Sequence, residues 1–323
     1  MRIEKYINLE KTSNKINLKE FFSTYAIVVV LILICVVLTF TSDNFLTEAN
    51  IINIFMQVSV NGILAVGMTF VILTGGIDLS VGALVALSGV IAAGFIKSGQ
   101  PLIVVLLVAV GVSTLLGVIS GLFIAKWNLA PFVITLGMMT IARGLTYVYT
   151  DGKPISDLSQ AYLNIGTGSW LNIPIPIWIL IFTFVAGFLI LNFTNIGRYI
   201  YAVGGNEHAA LVSGINVKFV KIFVYAISGI MCGIAAVVLS ARVSAGLPQA
   251  GVGYELDAIA AVVIGGTSLS GGKGHMWGTV IGVLIIGIIG NGLDLLNVSS
   301  YYQQIVKGCI IVIAVLLDYR NNK

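Results

Sequence analysis

Asn195–Val217, with the sequence NIGRYIYAVGGNEHAALVSGINV, is a long polar interruption between two strongly apolar blocks of this chain. Gly204-Gly205-Asn206 predicts a turn, because glycine and asparagine adopt turn conformations at low cost. Asn206 is also a suitable N-cap, since its side chain can accept a hydrogen bond from the first amides of a following helix. The segment therefore predicts a short helix between two long apolar ones.

This short helix is expected to run through Ala209 and Ala210 and to end at Ser213-Gly214, where glycine can take the left-handed conformation of a helix end. Two interpretations of such a helix remain open from the residues alone. It could be a surface that binds a soluble partner, or an amphipathic loop that lies on lipid headgroups.

The composition is that of a membrane protein. Only 9% of the 323 residues are charged, 58% are hydrophobic, and the mean hydropathy is +1.04. A soluble domain carries roughly 25% charged residues, so a soluble globular fold is excluded. The chain also contains 37 glycines, which suit close helix packing in lipid. We therefore predict an all-α polytopic membrane protein.

About ten apolar runs approach the roughly 20 residues that a transmembrane helix needs. They are Tyr25–Thr41, Ile51–Thr74, Val81–Ile96, Leu102–Ala125, Pro131–Tyr149, Ile173–Phe193, Phe219–Ala241, Ala258–Leu269, Met276–Leu293 and Tyr302–Leu317. These runs predict one transmembrane domain, residues 21–318, which includes a central loop at residues 194–218. Residues 1–20 are expected to form a polar N-terminal tail and residues 319–323 a short C-terminal end.

Basic residues are distributed unequally between the two sides of these spans. With the N-terminus inside, only Lys97, Lys153 and Arg242 fall outside, whereas twelve basic residues fall inside. Cytoplasmic loops carry such an excess of lysine and arginine. The asymmetry predicts that both termini and the central loop are cytoplasmic.

Three polar residues of the second span, Asn53, Gln57 and Asn61, are spaced four apart and therefore share one helix face. Polar groups are costly in hydrocarbon unless they have partners. The stripe predicts either a water-filled pathway or a contact between helices.

Gly75-Gly76-Ile77-Asp78-Leu79-Ser80 predicts a break between two helices. Asp78 is expected to cap the next helix, where a carboxylate can accept backbone hydrogen bonds. The alternative is that Asp78 lines a pathway through a discontinuous helix. Residues 75–82 and 265–272 also match at five of eight positions, which is a weak sign of an internal repeat.

Two basic residues, Arg143 and Lys307, fall inside predicted spans. Each is expected either to extend its charge toward the membrane surface or to form an ion pair. The candidate partners are Glu255 or Asp257 for Arg143, and Asp294 for Lys307. No acidic residue is predicted to lie deep in a span.

Five blocks of the sequence resemble the sugar permease subunits of bacterial ABC importers, the ribose, xylose and galactoside group. They are GRYIYAVGGNEHAA, GMTFVILTGGIDLSVGALVAL, APFVITLGMMTIARGLTYVY, YELDAIAAVVIGGTSLSGGKGHMWGTVIG and NGLDLLNVSSYYQQIVKGCIIVIAVLLD, within about residues 45–318. The resemblance implies a subunit of the bacterial cytoplasmic (inner) membrane that forms a translocation pathway for a monosaccharide, with ribose as the first choice.

The resemblance also implies partners. In this family the central loop contains a coupling helix that docks on a cytoplasmic ATPase subunit, which binds the ATP. A periplasmic sugar-binding protein and a second permease copy would complete the importer. The ATPase-coupling residues implied here are Gly204, Gly205, Asn206, Glu207, Ala209, Ala210, Ser213 and Gly214. Leu211-Val212 departs from the family pattern, which usually has an arginine in this run.

The residues indicate neither an enzyme nor a metal site. Gly271-Gly272-Lys273 lacks the spacing of a phosphate-binding loop, and the two histidines, His208 and His275, have no ligand-like neighbours in sequence. No cofactor and no nucleic-acid partner are expected. The rival function is an ion-coupled secondary sugar transporter, a class that usually places ionisable residues in the middle of the membrane.

Overall fold

A computed structural model describes residues 18–321, with side chains described for residues 27–316. The predicted tail therefore lies largely outside the described residues. The helices are α1 (Leu18–Thr41), α2 (Glu48–Leu73), α3 (Val81–Lys97), α4 (Leu102–Trp127), α5 (Pro131–Thr150), α6 (Gln160–Thr167), α7 (Ile175–Phe193), α8 (Asn195–Gly205), α9 (Glu207–Val212), α10 (Val217–Arg242), α11 (Tyr254–Ile264), α12 (Met276–Leu295) and α13 (Ser300–Asn321). Strands β1 (Ser169–Trp170) and β2 (Ile173–Pro174) pair antiparallel between α6 and α7.

Each predicted span coincides with a separate helix, which confirms the all-helical fold. Among the described residues, six helices are long and apolar enough to cross a membrane: α2, α4, α5, α7, α10 and α12. The bounds of the predicted span Ala258–Leu269 are wrong, because α11 begins at Tyr254 and ends at Ile264. Gly265-Gly266 ends the helix, and Gly266 has a φ of +85°. Eleven residues extend about 16 Å, roughly half the thickness of the hydrocarbon core.

The core of the bundle is formed by α2 and α10. In their most apolar stretches 83% and 72% of the residues are buried, against 22% in both α4 and α5. The poorly buried helices present large apolar side chains outward, as a lipid-facing surface requires. The long helices therefore divide into central ones and peripheral ones, although all of them are apolar enough to cross a membrane.

Close backbone approach joins α4 to α10. A Cβ atom added at Gly121 would lie 2.9 Å from the Cα atom of Ile222, and one added at Gly229 would lie 2.5 Å from the carbonyl oxygen of Ser113. Small residues at such crossings let helices in membranes gain dispersion contacts. This packing holds α10, which follows the central loop, firmly against its neighbour.

The end of the bundle opposite the central loop is tied together by backbone contacts. Ile155 and Gly246 exchange backbone hydrogen bonds of 3.0 and 2.9 Å. Arg143 Nη1 donates to the carbonyl oxygens of Pro248 and Ala250 at 2.9 and 2.8 Å. Arg143 therefore binds the α10–α11 connection through carbonyl groups, and the ion pair proposed for it with a carboxylate does not form.

Candidate functional site

The second half of the central loop folds as the sequence predicts, with a short helix that starts after Asn206. The predicted turn at Gly204-Gly205-Asn206 is wrong for the two glycines, because they are the last residues of the eleven-residue helix α8, which was not predicted. Thr194 caps α8 by accepting a hydrogen bond from the amide of Gly197 at 3.2 Å. Asn206 Oδ1 accepts from the amide of Ala209 at 2.9 Å and so starts α9. Gly214, with a φ of +82°, reverses the chain after α9. These local contacts explain how six residues form a helix that would be unstable alone.

α9 is fixed on one face and open on the other. Glu207 Oε1 binds Lys221 Nζ of α10 at 2.7 Å, and Ala210 is buried against the bundle at 4% exposure. Leu211 and Val212, at the end of α9, are 60% and 75% exposed. An apolar face on a short helix held rigidly at the end of the bundle is suited to docking. The ion pair makes Glu207 a residue that positions α9.

Three glycine-rich segments meet where α8 ends, and we call this contact the glycine junction: Leu73, Gly75, Gly204, Gly271 and Gly272. The amide of Gly272 donates to the carbonyl oxygen of Leu73 at 2.9 Å. A Cβ atom at Gly271 would lie 2.8 Å from the nitrogen of Gly75 and 2.9 Å from the carbonyl oxygen of Gly204. The junction therefore links the central loop to α2 and to the α11–α12 connection, and it brings together the two sequence segments that resemble each other.

Gly204 and Gly205 are both predicted as coupling residues, and their surroundings in the structure differ. A Cβ atom at Gly204 would overlap the carbonyl oxygen of Leu73 and lie 2.5 Å from the nitrogen of Gly272, whereas one at Gly205 would meet nothing within 4 Å. Close packing at the glycine junction thus depends on Gly204. Nothing in the surroundings of Gly205 requires a glycine.

Tyr201 strengthens the same contact, although the sequence analysis did not single it out. Its hydroxyl donates to the carbonyl oxygen of Gly274 at 2.9 Å, joining α8 to the α11–α12 connection. Burial raises the pKa of the Tyr201 phenol above its ordinary value, so the phenol stays a neutral donor. Its sequence signal, one tyrosine in an amphipathic segment, is too weak to identify this role.

A second feature, which we call the polar cavity, lies among α2, α11, α12 and α13. It has a volume of about 70 Å³. Its polar lining consists of Gln57, Asn61, Asp257 and Lys307. Lys307 Nζ lies 2.8 Å from Asp257 Oδ2, and Asn61 Nδ2 donates to the same oxygen at 3.3 Å.

The structure thus unites two of the residues proposed for a pathway and separates the other two. Gln57 and Asn61 line the polar cavity, whereas Asn53, one turn nearer the start of α2, is exposed and does not line it. The spacing of four residues correctly indicated one helix face. Along that face, Asn61 and Gln57 contact the cavity and Asn53 is exposed at the surface.

Asp78 is enclosed by the bundle, and its role in a pathway stays a prediction. It is 1% exposed. Its Oδ1 accepts from the amide and the hydroxyl of Ser80 at 3.0 and 2.6 Å, and its Oδ2 accepts from Ser228 Oγ at 2.7 Å. The amide it accepts from precedes α3, which begins at Val81, so Asp78 holds the helix break in place without capping the first turn.

Two further predictions about charge are wrong. Lys307 pairs with Asp257, fifty residues away, whereas Asp294 accepts from Gln303 Nε2 at 2.8 Å. Acidic groups also lie deep in the bundle. Asp257, within α11, contacts Asn61 near the middle of α2, and Asp78, in the break between α2 and α3, contacts Ser228 near the middle of α10. The rival function, an ion-coupled transporter, can therefore no longer be rejected on the ground that deep carboxylates are missing. Similarity to known proteins has to decide between the two functions.

Residues 50–315 match the family model described as the branched-chain amino acid transport system / permease component. The chain belongs to this family. The ribose import permease protein RbsC of Haemophilus influenzae is 51% identical over 294 residues, covering 90% of this chain and 91% of that protein. The Escherichia coli K12 protein of the same name is 48% identical over 297 residues, covering 91% and 92%.

Similarity extends to permeases for other sugars. The D-allose transport system permease protein AlsC of Escherichia coli K12 is 43% identical over 307 residues, covering 94% of this chain and 93% of that protein. No solved structure matches the chain. The resemblance read from the five sequence blocks is confirmed, and the permease is a membrane transport subunit and not an enzyme.

Proposed function

We propose that this permease is the membrane subunit of a bacterial ABC importer for a monosaccharide, with ribose as the first candidate. The observation that carries the proposal is 51% identity to a ribose import permease over nine-tenths of both chains. D-allose is the second candidate, because the allose permease matches over a similar length at 43% identity.

In this proposal the permease lies in the cytoplasmic (inner) membrane with about ten spans and both termini cytoplasmic. The transmembrane domain comprises residues 21–318, with cytoplasmic ends at 1–20 and 319–323 and the central loop at 194–218. The excess of basic residues on the central-loop side supports this orientation. The helices α1, α3, α11 and α13 would complete the count beyond the six candidate spans.

The proposed partners are a cytoplasmic ATPase, a periplasmic sugar-binding protein and a second permease copy. The exposed apolar face of α9 supports docking on the ATPase, which would bind ATP. One docking helix per chain would serve one ATPase site, so two copies would enclose the pathway. Asn53, which is exposed on α2, would then face the pathway between the copies, and Gln57, one turn further along the helix, would line the polar cavity beside it.

The proposed coupling runs through the glycine junction. When the ATPase subunits close on ATP they would displace α9, which is fixed to α10 by the Glu207–Lys221 pair. The motion would reach α2 and the α11–α12 connection, because Gly204 packs directly on Leu73 and Gly272. The helices would then shift between outward and inward access. The coupling residues act mechanically and make no bond to sugar.

Reconstitution tests the proposal. The permease is placed in proteoliposomes with its ATPase, ATP and the binding protein, and uptake of labelled D-ribose and D-allose is measured. We expect uptake that requires all three additions and stops with an ATPase variant that cannot hydrolyse ATP. Uptake driven by a proton or sodium gradient without ATPase would instead support the ion-coupled alternative.

A further inference from the structure

The polar cavity contains an ion pair and an unpaired amide oxygen at one place inside the bundle. Asp257 is 5% exposed, and it binds both Lys307 and Asn61 through Oδ2. Asn61 Oδ1 is shielded from solvent and has no hydrogen-bond partner among the described residues. A buried acceptor without a partner is costly, so this oxygen points to a donor that the chain itself does not supply.

The position and size of the cavity indicate what that donor is. Asn61 is about 20 Å along the 26-residue α2 from its first residue, so the cavity lies near the middle of a long span. Its 70 Å³ is several times the roughly 10–15 Å³ that one water requires. Gly290 on its wall has open space where a side chain would be. A hydroxyl or hydroxymethyl group fits such a site.

We propose that Asn61, Asp257 and Lys307 form a hydroxyl-binding subsite of the translocation pathway, an assignment that rests on the proposed function. A sugar hydroxyl both donates and accepts. It can donate to Asn61 Oδ1 and accept from the Lys307 ammonium group. Because Lys307 and Asp257 neutralise each other, the subsite favours a neutral polyol over an ion. The sugar passing this point replaces contacts with water by contacts with these three side chains.

The test compares wild-type permease with Asn61→Leu, which removes the unpaired oxygen at similar side-chain volume. Asn61→Ala is the second variant, used where leucine prevents assembly. Ser120→Ala is the matched control, because the Ser120 hydroxyl is also buried without a partner but lies on α4, away from the cavity. The probes are D-ribose and its 2-deoxy, 3-deoxy and 5-deoxy analogues, and initial uptake is measured with saturating ATPase and binding protein.

The deciding quantity is the uptake rate of the variant divided by that of the wild type, compared between sugars. The binding protein is the same in both assays, so its own preferences cancel. We expect Asn61→Leu to lower D-ribose uptake about 2- to 10-fold, the range of one hydrogen bond. It should leave uptake of at least one deoxy analogue unchanged, because that sugar lacks the hydroxyl. Ser120→Ala should change neither.

A merely structural role for Asn61 gives a different result. If the variant lowers uptake of all four sugars by the same factor, or of none, the subsite does not exist, although the importer itself still functions. If the wild-type complex takes up none of the four sugars, the proposed function fails together with the subsite.

Discussion

Gly204 offers a sharp test of how the central loop is connected to the transmembrane helices. In Gly204→Ala the added Cβ atom would overlap the Leu73 carbonyl oxygen and lie 2.5 Å from the nitrogen of Gly272. Its neighbours are backbone atoms of other segments, which cannot rotate aside. The end of α8 must therefore move by roughly 1 Å to restore ordinary contact. The added Cβ atom also lies against both partners of the Gly272–Leu73 hydrogen bond and forces them apart.

The cost follows from these contacts. Overpacking a close contact costs about 1–3 kcal/mol, and loss of the Gly272–Leu73 hydrogen bond adds about 1 kcal/mol. Alanine in a helix recovers about 0.5–1 kcal/mol relative to glycine. The balance is about 1–3 kcal/mol against the packed junction, which corresponds to roughly a 5- to 150-fold change in its equilibrium with an unpacked form.

The assay measures D-ribose molecules imported per ATP hydrolysed in proteoliposomes. We expect this ratio to fall in Gly204→Ala while the amount of assembled permease and its binding of the ATPase are retained. Gly205→Ala is the matched control, because its Cβ atom meets nothing within 4 Å, and it should couple normally. Normal coupling in Gly204→Ala, or an equal loss in both variants, would refute the role assigned to the glycine junction.

Three further substitutions test the site. Asn206→Ala removes the cap of α9 and should destabilise that helix by about 0.5–2 kcal/mol. The number of sugar molecules transported per ATP should fall. Asn206→Ser keeps a capping side chain and should restore this ratio. Replacing Leu211 and Val212 by glutamate should weaken ATPase binding about tenfold or more, since each apolar side chain buried at an interface contributes about 1.5–3 kcal/mol. Co-purification of the permease with the ATPase measures this binding. Unchanged binding would favour a helix that lies on lipid headgroups. Lys307→Met leaves the Asp257 charge buried without its partner and should lower the free energy of unfolding by about 1–3 kcal/mol. This is less than for a fully buried pair, because Lys307 is one-third exposed. Thermal unfolding measures the loss, and adding Asp257→Asn should recover most of it.

Local chemistry made the second half of the central loop predictable. The cap at Asn206 and the reversal at Gly214 depend on residues within four positions of each other, so the sequence contains all the information they need. The ten apolar runs were equally readable, because each backbone group in a span must be paired within its own helix. The end of α11 was missed because its apolar run continues past the glycines that terminate it.

The burial of each helix could not be predicted from its hydropathy. The most apolar stretch of α4 has a mean hydropathy of 2.9 and is 22% buried, whereas that of α2 has 1.8 and is 83% buried. In lipid, an apolar side chain is as well accommodated on the outside of the bundle as within it. Hydropathy therefore identifies a span without showing whether the span is central or peripheral, and it gave no sign that Asp78 is sealed inside.

The sequence alone was sufficient to identify a helical membrane permease, the positions of its apolar helices, and a capped helix that lies between two of them. Tertiary structure alone decided that Lys307 pairs with Asp257, that Gly204 rests on Leu73 and Gly272, and that Gln57 and Asn61 share a cavity while Asn53 does not. These contacts join residues 50 to 200 positions apart. They depend on the rotation and depth at which each helix packs, and small differences in dispersion and polar contact among many helices set that arrangement.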